Sequence, residues 1–127
     1  DWFAPAAARL AAGTAQPEQL GEPMPFAGQN WPDDLARIIY VDRYGNAMTG
    51  IRAAVLTPGA LIRTGRHALR WARTFCHVPV GQGFWYENSS GLVELAVNQG
   101  SAAEQLHLRT GDVVTVVGAT RTVVRDC

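Results

Sequence analysis

FWYENSSGLVELAVNQGSAAEQLHLRTGD, residues Phe84 to Asp112, sets a turn, a strand, a capped helix and further turns one after another. Phe84-Trp85-Tyr86 predicts an aromatic strand, and Asn88-Ser89-Ser90-Gly91 a tight polar turn that hands over to a second strand, Leu92 to Val97. Asn98-Gln99-Gly100 then breaks that strand. Ser101 can accept from the backbone N–H of Glu104 while Glu104 reaches back to Ser101, so Ser-Ala-Ala-Glu reads as a capping box opening a short helix near residues 101–107. Backbone N–H groups left open at such a start, beside a polar turn, suit a small polar ligand; a well-made hairpin and cap with no ligand fits the same residues.

Outward from this stretch the signals are mostly strands. Arg37 to Val41 is short and β-branched and ends in Asp42-Arg43-Tyr44-Gly45-Asn46, where Gly45 and Asn46 tolerate positive φ. The chain returns through Ala47 to Ile51, turns at Thr57-Pro58-Gly59, and continues through Leu61 to Arg63. After Gly65-Arg66 a longer strand is expected from His67 to Phe75, with Leu69, Trp71, Arg73 and Phe75 on one face. Pro79 and Gly81-Gln82-Gly83 separate it from Phe84, and Val113 to Val117 with Thr122 to Val124 flank Gly118-Ala119-Thr120 as a last pair. About seven short strands without long intervening helices predict an all-β, closed or nearly closed antiparallel, Greek-key-like barrel.

Residues 1–36 have a different character. Asp1 is a candidate helix cap, Pro5 lies in the first turns, and Ala6 to Ala12 closes at Gly13. Pro17, Pro23, Pro25 and Pro32 then mark an extended connection. The expectation is a helix and linker left from a preceding N-terminal domain, followed by a barrel domain over residues 37–127. A chain of 127 residues, 47% hydrophobic and 17% charged, can bury one ordinary core. Eleven basic and eleven acidic residues cancel, which argues against nucleic acid or an anionic membrane as partner. Two cysteines, one of them the last residue, make no disulfide framework and fit a reducing cytoplasm.

Few residues carry recognisable chemistry. His67, Cys76 and His77 invite a metal reading, but adjacent Cys76 and His77 would point to opposite faces of a strand, so no metal site is expected. Cys76 reads instead as a small buried hydrophobe, His107 as a surface or cap residue, and Arg70 and Arg73 as solvated. Asp42 with Gly45-Asn46 can serve a ligand amine and a base edge, or form an ordinary hairpin turn. No glycine-rich phosphate loop, nucleophile elbow or HExxH helix is present in the sequence.

Three strings add a resemblance. Val41-Asp42-Arg43-Tyr44-Gly45-Asn46-Ala47-Met48-Thr49, Thr74-Phe75 leading to Val78-Pro79-Val80-Gly81, and Glu87 through Glu104 closely resemble, in order across roughly residues 37–117, the C-terminal domain of the S-adenosyl-L-methionine (SAM) hydroxide adenosyltransferases. These are SAM-hydrolysing relatives of fluorinase and chlorinase. Asp1-Trp2-Phe3-Ala4-Pro5 is similar to the end of the family's Phe-His-Gly-Arg-Asp-(x)-Phe-Ala-Pro motif, so the chain looks like the second part of a two-domain enzyme.

The resemblance implies attack of water or hydroxide on C5′ of SAM, positioned by groups of the preceding domain, with the barrel of a neighbouring subunit in a trimer closing the site. It implies that Asp42 and Ser89 hold the amino and carboxylate ends of the methionine moiety. Asn46 would contact adenine, Phe75 would stack on it, and the backbone at Gln99-Gly100 would read its edge. Tyr44 stands where phenylalanine is usual and adds a hydroxyl that needs a partner. Asn88, Ser90 and Val97 complete the implied binding set; Ser90 stands where the halogenases carry arginine, which favours hydrolysis. No catalytic group, metal or cofactor is expected in this chain itself, and alone it should not turn over SAM. A non-catalytic adenosine-binding or assembly barrel is the alternative, and an oligonucleotide-binding barrel is disfavoured by the neutral charge.

Overall fold

A computed structural model describes residues 2–22, 24 and 31–118. It divides into two compact units, Asp1–Trp31 and Pro32–Cys127. In the first, helix α1 spans Phe3–Ala11 and buries none of its residues. It ends where expected: Gly13, at φ +65, lets its own N–H reach Leu10 O and the Thr14 N–H reach Arg9 O, so the last carbonyls are satisfied. Asp1, expected as the cap, lies outside the described residues. A 3-10 turn at Pro17–Gln19 interrupts the expected linker.

The second unit is a mixed sheet curved into a half-barrel. Its strands are β1 (Leu35–Val41), β2 (Ala47–Arg52), β3 (Leu61–Thr64), β4 (His67–Trp71), β5 (Gly83–Glu87), β6 (Leu92–Val97) and β7 (Thr115–Val117), with the four-residue helix α2 at Ala102–Gln105 between the last two. Their order across the sheet is β1-β2-β6-β5-β4-β3-β7. The β-rich expectation holds, but the closed antiparallel barrel does not. Strands β4 and β5 pair in parallel, Arg70 opposite Phe84 and Trp71 opposite Trp85. The terminal strands form no ladder with each other: an isolated bridge, Arg37 to Val113, and the Ile38 N–H to Asp112 O bond at 2.9 Å tie β1 to the segment entering β7. The expected strand Thr122 to Val124 lies outside the described residues.

Strand β6 runs through the middle, between β2 and β5, and is buried from Val93 to Val97. A strand covered on both faces reads as a continuous apolar run, as Leu-Val-x-Leu-Ala-Val does here. On one face Val93, Leu95 and Val97 join Ile38, Ile62 and Trp85 in the main core. The Trp85 ring is kept inside by its Nε1–H bond to Ala60 O at 3.0 Å, and the Thr49 hydroxyl donates to Val93 O at 2.8 Å. The other face of β5 and β6 buries Phe84 and Ala96 against Ala72 in a smaller cluster. Burial of Phe84, 1% exposed, contributes about 1.5–3 kcal/mol to stability.

The parallel pairing corrects a second expectation. Strand β4 stops at Trp71, so Phe75 lies beyond it, in a 3-10 turn at Phe75–His77. A chain leaving β4 must travel back to enter β5 in the same direction, and residues 72–82 are that return. It is pinned at intervals: the Ala72 N–H bonds Trp85 O, the Gly81 N–H bonds Asn98 O, and the Asn98 side chain donates to Val78 O at 2.8 Å. Leu69 is buried, while Trp71, expected on the same face, is 39% exposed.

Candidate functional site

An open cleft of about 510 Å³ is lined by Tyr44, Asn46, Phe75, Tyr86, Val97, Gln99 and Gly100. Six of these were named from sequence, arriving from the β1–β2 turn, the return loop, and the end of β6. Phe75 presents its ring here because Phe84 holds it edge-on, centroids 5.1 Å apart at 87°, and Tyr86 flanks it at 5.8 Å. Gln99, at φ +55, and Gly100, whose N–H returns to Val97 O, make the tight turn that closes β6. A side chain at position 100 would meet Val97 Cγ1 at 3.0 Å, so glycine keeps the backbone open to the cleft.

The β1–β2 turn is built on Asp42. Its Oδ1 accepts from the Tyr44 N–H (2.8 Å) and the Asn46 N–H (2.9 Å), and its Oδ2 from Asn46 Nδ2 (3.2 Å). The hairpin reading of Asp42 to Asn46 therefore describes the turn, and the carboxylate orients the Asn46 amide at the cleft. Tyr44, 65% exposed, has found a partner for its hydroxyl: Arg43 Nη2 donates to it at 2.6 Å, with the guanidinium 4.8 Å from the ring centroid.

Asn88, Ser89 and Ser90 form the β5–β6 turn and lie outside the lining. Asn88 Oδ1 accepts from the Ser90 N–H at 2.9 Å and the Leu92 N–H at 3.0 Å, while Ser89 and Ser90 sit exposed at the tip. The link to the cleft is Glu94, which sequence reading missed along with Tyr86. Glu94 is 8% exposed; its Oε1 accepts from the Tyr86 hydroxyl at 2.6 Å and its Oε2 from Asn88 Nδ2 at 2.8 Å. Burial, then the Glu94 hydrogen bond and the Glu94 and Asp42 charges, push the Tyr86 hydroxyl well above the usual phenol range, so it stays a donor. The available signal was a lone carboxylate inside the apolar run Leu92 to Val97.

Two other expectations change and one holds. The Ser101 hydroxyl accepts from the Glu104 N–H at 3.1 Å as expected, but the Ala103 N–H is taken by Gly45 O at 2.8 Å, so the start of α2 is a packing joint rather than an open ligand cradle. Cys76 is exposed, and its Sγ lies 3.5 Å from His77 Nδ1, because both ride a 3-10 turn instead of a strand. His107 is the exposed cap it was read as: at φ +56 it closes α2, with the Leu108 N–H on Ala103 O. Among the described residues no three His, Cys, Asp or Glu side chains gather as a metal site, and no helix is long and apolar enough to cross a membrane.

Chemically, the cleft offers aromatic faces, side-chain amides and exposed backbone to a flat hydrogen-bonding ring, with two carboxylates behind it. A profile of the SAM hydroxide adenosyltransferase C-terminal domain matches residues 36–115. The chain belongs to this family. An (R)-S-adenosyl-L-methionine hydrolase of Thermus thermophilus is 40% identical over 119 residues, covering 87% of this chain and 45% of the relative. A protein of the same name from Salinispora arenicola is 35% identical over 127 residues, covering 91% and 48%. The chain thus spans about half the length of the curated relatives it matches. Among solved structures, a conserved hypothetical protein from Thermus thermophilus superposes with a TM-score of 0.66 at 36% identity, covering 91% of this chain and 50% of that one. An uncharacterised conserved protein from Thermotoga maritima gives 0.66 at 25% identity over the same shares. The SAM hydroxide adenosyltransferase domain therefore accounts for the cleft-bearing unit.

Proposed function

We propose that this chain supplies one wall of the substrate site of an enzyme that hydrolyses SAM to adenosine and L-methionine. The reading rests on one observation: in a member of this family, Tyr44, Asn46, Phe75, Val97, Gln99 and Gly100 converge on a single cleft. Phe75 stacks on adenine, with Tyr44 beside it. Asn46, oriented by Asp42, and the backbone at Gln99-Gly100 read the base edge. The methionine moiety extends toward Asp42 and Ser89, its ammonium on the carboxylate and its carboxylate on the hydroxyl; Asn88 and Ser90 hold the turn that carries Ser89.

In the reaction a C5′–O bond forms as the C5′–S bond breaks. The electron pair leaves with sulfur, which becomes the neutral thioether of methionine, and when water attacks it loses one proton. A sulfonium is already a good leaving group, so orientation of an in-line attack and exclusion of stray water supply most of the needed catalysis. That task suits a cleft with no acid–base dyad. The nucleophile is positioned by groups of a preceding domain, and a neighbouring subunit of a trimer completes the site; the enzyme works in the cytoplasm without a cofactor, and this chain alone is inactive.

The test is incubation of the full-length protein with SAM in ¹⁸O-labelled water. Adenosine carrying the label at its 5′ oxygen is the expected product. Binding of SAM without any release of methionine would contradict hydrolysis and favour a non-catalytic adenosine-binding module.

A further inference from the structure

Glu94 is the buried charged residue of the second unit among those described, and it occupies a strand covered on both faces. A carboxylate there loses much of its hydration, and such groups ordinarily find a cation. This one does not: among the described residues the ion pairs are those of Arg52 with Asp33 and Asp34, and Glu94 is held by two neutral donors, Tyr86 Oη and Asn88 Nδ2. Asp42 is in the same position, satisfied by two backbone N–H groups and the Asn46 amide. Arg43, the nearest arginine in sequence, is exposed and engaged on Tyr44. The Tyr86 hydroxyl that Glu94 accepts from belongs to a residue lining the cleft, so a negative charge with no cation partner among the described residues stands behind that wall, while Asp42 meets the substrate ammonium in the proposed complex.

We propose that Glu94 is a positioning and specificity residue that fixes Tyr86 and the Asn88 turn and tunes the cleft toward ligands bearing positive charge at sulfur over their neutral thioether counterparts. The inference rests on the proposed SAM site and deepens it. A substrate sulfonium becomes a neutral thioether on reaction, so the same charge that draws the substrate in weakens the hold on methionine once C5′–S is broken. Two neutral donors rather than an arginine are what this requires, because a protein cation would cancel the field at the ligand. The hydrogen-bond geometry has its own consequence: Tyr86 sits 5.8 Å from Phe75, so Glu94 also steadies the stacking face.

The test is calorimetric titration of the full-length protein with two ligands, S-adenosyl-L-homocysteine, whose sulfur is neutral, and an analogue with a protonated amine in place of the sulfonium. Wild type is expected to prefer the cationic ligand, and Glu94→Gln, which keeps the shape but not the charge, to reduce that preference by about tenfold while the neutral ligand changes by about twofold or less. Equal weakening of both ligands, or no change in either, would overturn the proposal while leaving the SAM site standing. Should Glu94→Gln not fold, Tyr86→Phe decides: it removes a donor and keeps the charge, so both ligands should weaken together, and a lost cation preference would overturn the proposal. Wild type binding neither ligand would instead overturn the SAM site and this inference with it.

Discussion

The turns Asp42–Asn46 and Asn88–Leu92 are the same device used twice. In each, the first side chain accepts from the backbone N–H groups two and four residues on, the N–H of the fourth residue returns to the first carbonyl, and that fourth residue is a glycine at positive φ, Gly45 at +82 and Gly91 at +74. They differ in what surrounds them. Gly45 is buried under α2, its carbonyl holding the Ala103 N–H, whereas a side chain at Gly91 would meet nothing closer than Glu87 Oε1 at 3.9 Å. They also differ in the first residue: position 88 must donate to Glu94, so it is an amide, while position 42 only accepts, so it is free to be a carboxylate. One motif thus yields a locked joint that carries charge at the cleft and an open tip that presents serines.

Alanine at the two glycines is the strongest way to break this comparison. At Gly45 a new Cβ would press on Ser101 Cβ at 2.6 Å and Cα at 3.0 Å in addition to the strained φ. Gly45→Ala should therefore cost about 3 kcal/mol or more, and Gly91→Ala about 1 kcal/mol from backbone strain alone. Urea unfolding measures both; equal losses would show that the two turns are not differently seated.

The reciprocal exchanges at the first position come next. Asn88→Asp removes the donor to Glu94 and sets two carboxylates face to face, which should cost about 2 kcal/mol. Asp42→Asn keeps the accepting oxygen, and rotation of the Asn46 amide relieves the rest, so stability should fall by less than about 1 kcal/mol. If thermal melts rank the two the other way, the assigned difference between the turns fails.

A third carboxylate sharpens the comparison at smaller scale. Asp34 anchors the backbone N–H of Arg52 at 2.8 Å as Asp42 anchors its turn, but it also meets the guanidinium at 2.6 Å. The Arg52 hydrogen bonds hold the Asp34 carboxyl below the usual carboxylate range despite some burial. A depressed folded value means its contribution is present above the unfolded value, near pH 4, and is lost as pH falls through the lower folded one. Asp34→Asn should therefore lower stability modestly near neutrality, where solvent screening limits the loss, and converge with wild type in acid, so that its profile falls less steeply below about pH 4. An unaltered acid limb of the unfolding profile would contradict this.

What was legible in the sequence was local. Glycine, asparagine and serine write a turn within five residues, so both hairpins, the Ser101 cap and the closing role of His107 could be read where they stand. The run Leu92 to Val97 reads as a strand, and its nearly continuous apolar composition fits the burial found there. The parallel pairing of β4 with β5 was not legible: it is a choice between distant partners, and nothing within His67 to Phe75 records it. Misplacing Phe75 and Cys76 on a strand followed from that single fact. Of the cleft, the lining residues carried by the three family-like strings were found, but Tyr86 and Glu94 were not, because one charge in an apolar run has meaning only when the cross-strand partner opposite it is known.

The central claim is that the cleft between the Asp42 turn and the end of β6 holds the adenosine part of the substrate. Calorimetric titration of adenosine into the full-length protein, repeated with Asn46→Ala and Phe75→Ala, tests it most directly. Wild type should bind, and each substitution should weaken binding by about tenfold or more, from a lost base-edge hydrogen bond and a lost stacking face. Wild-type affinity retained by both variants would contradict the account.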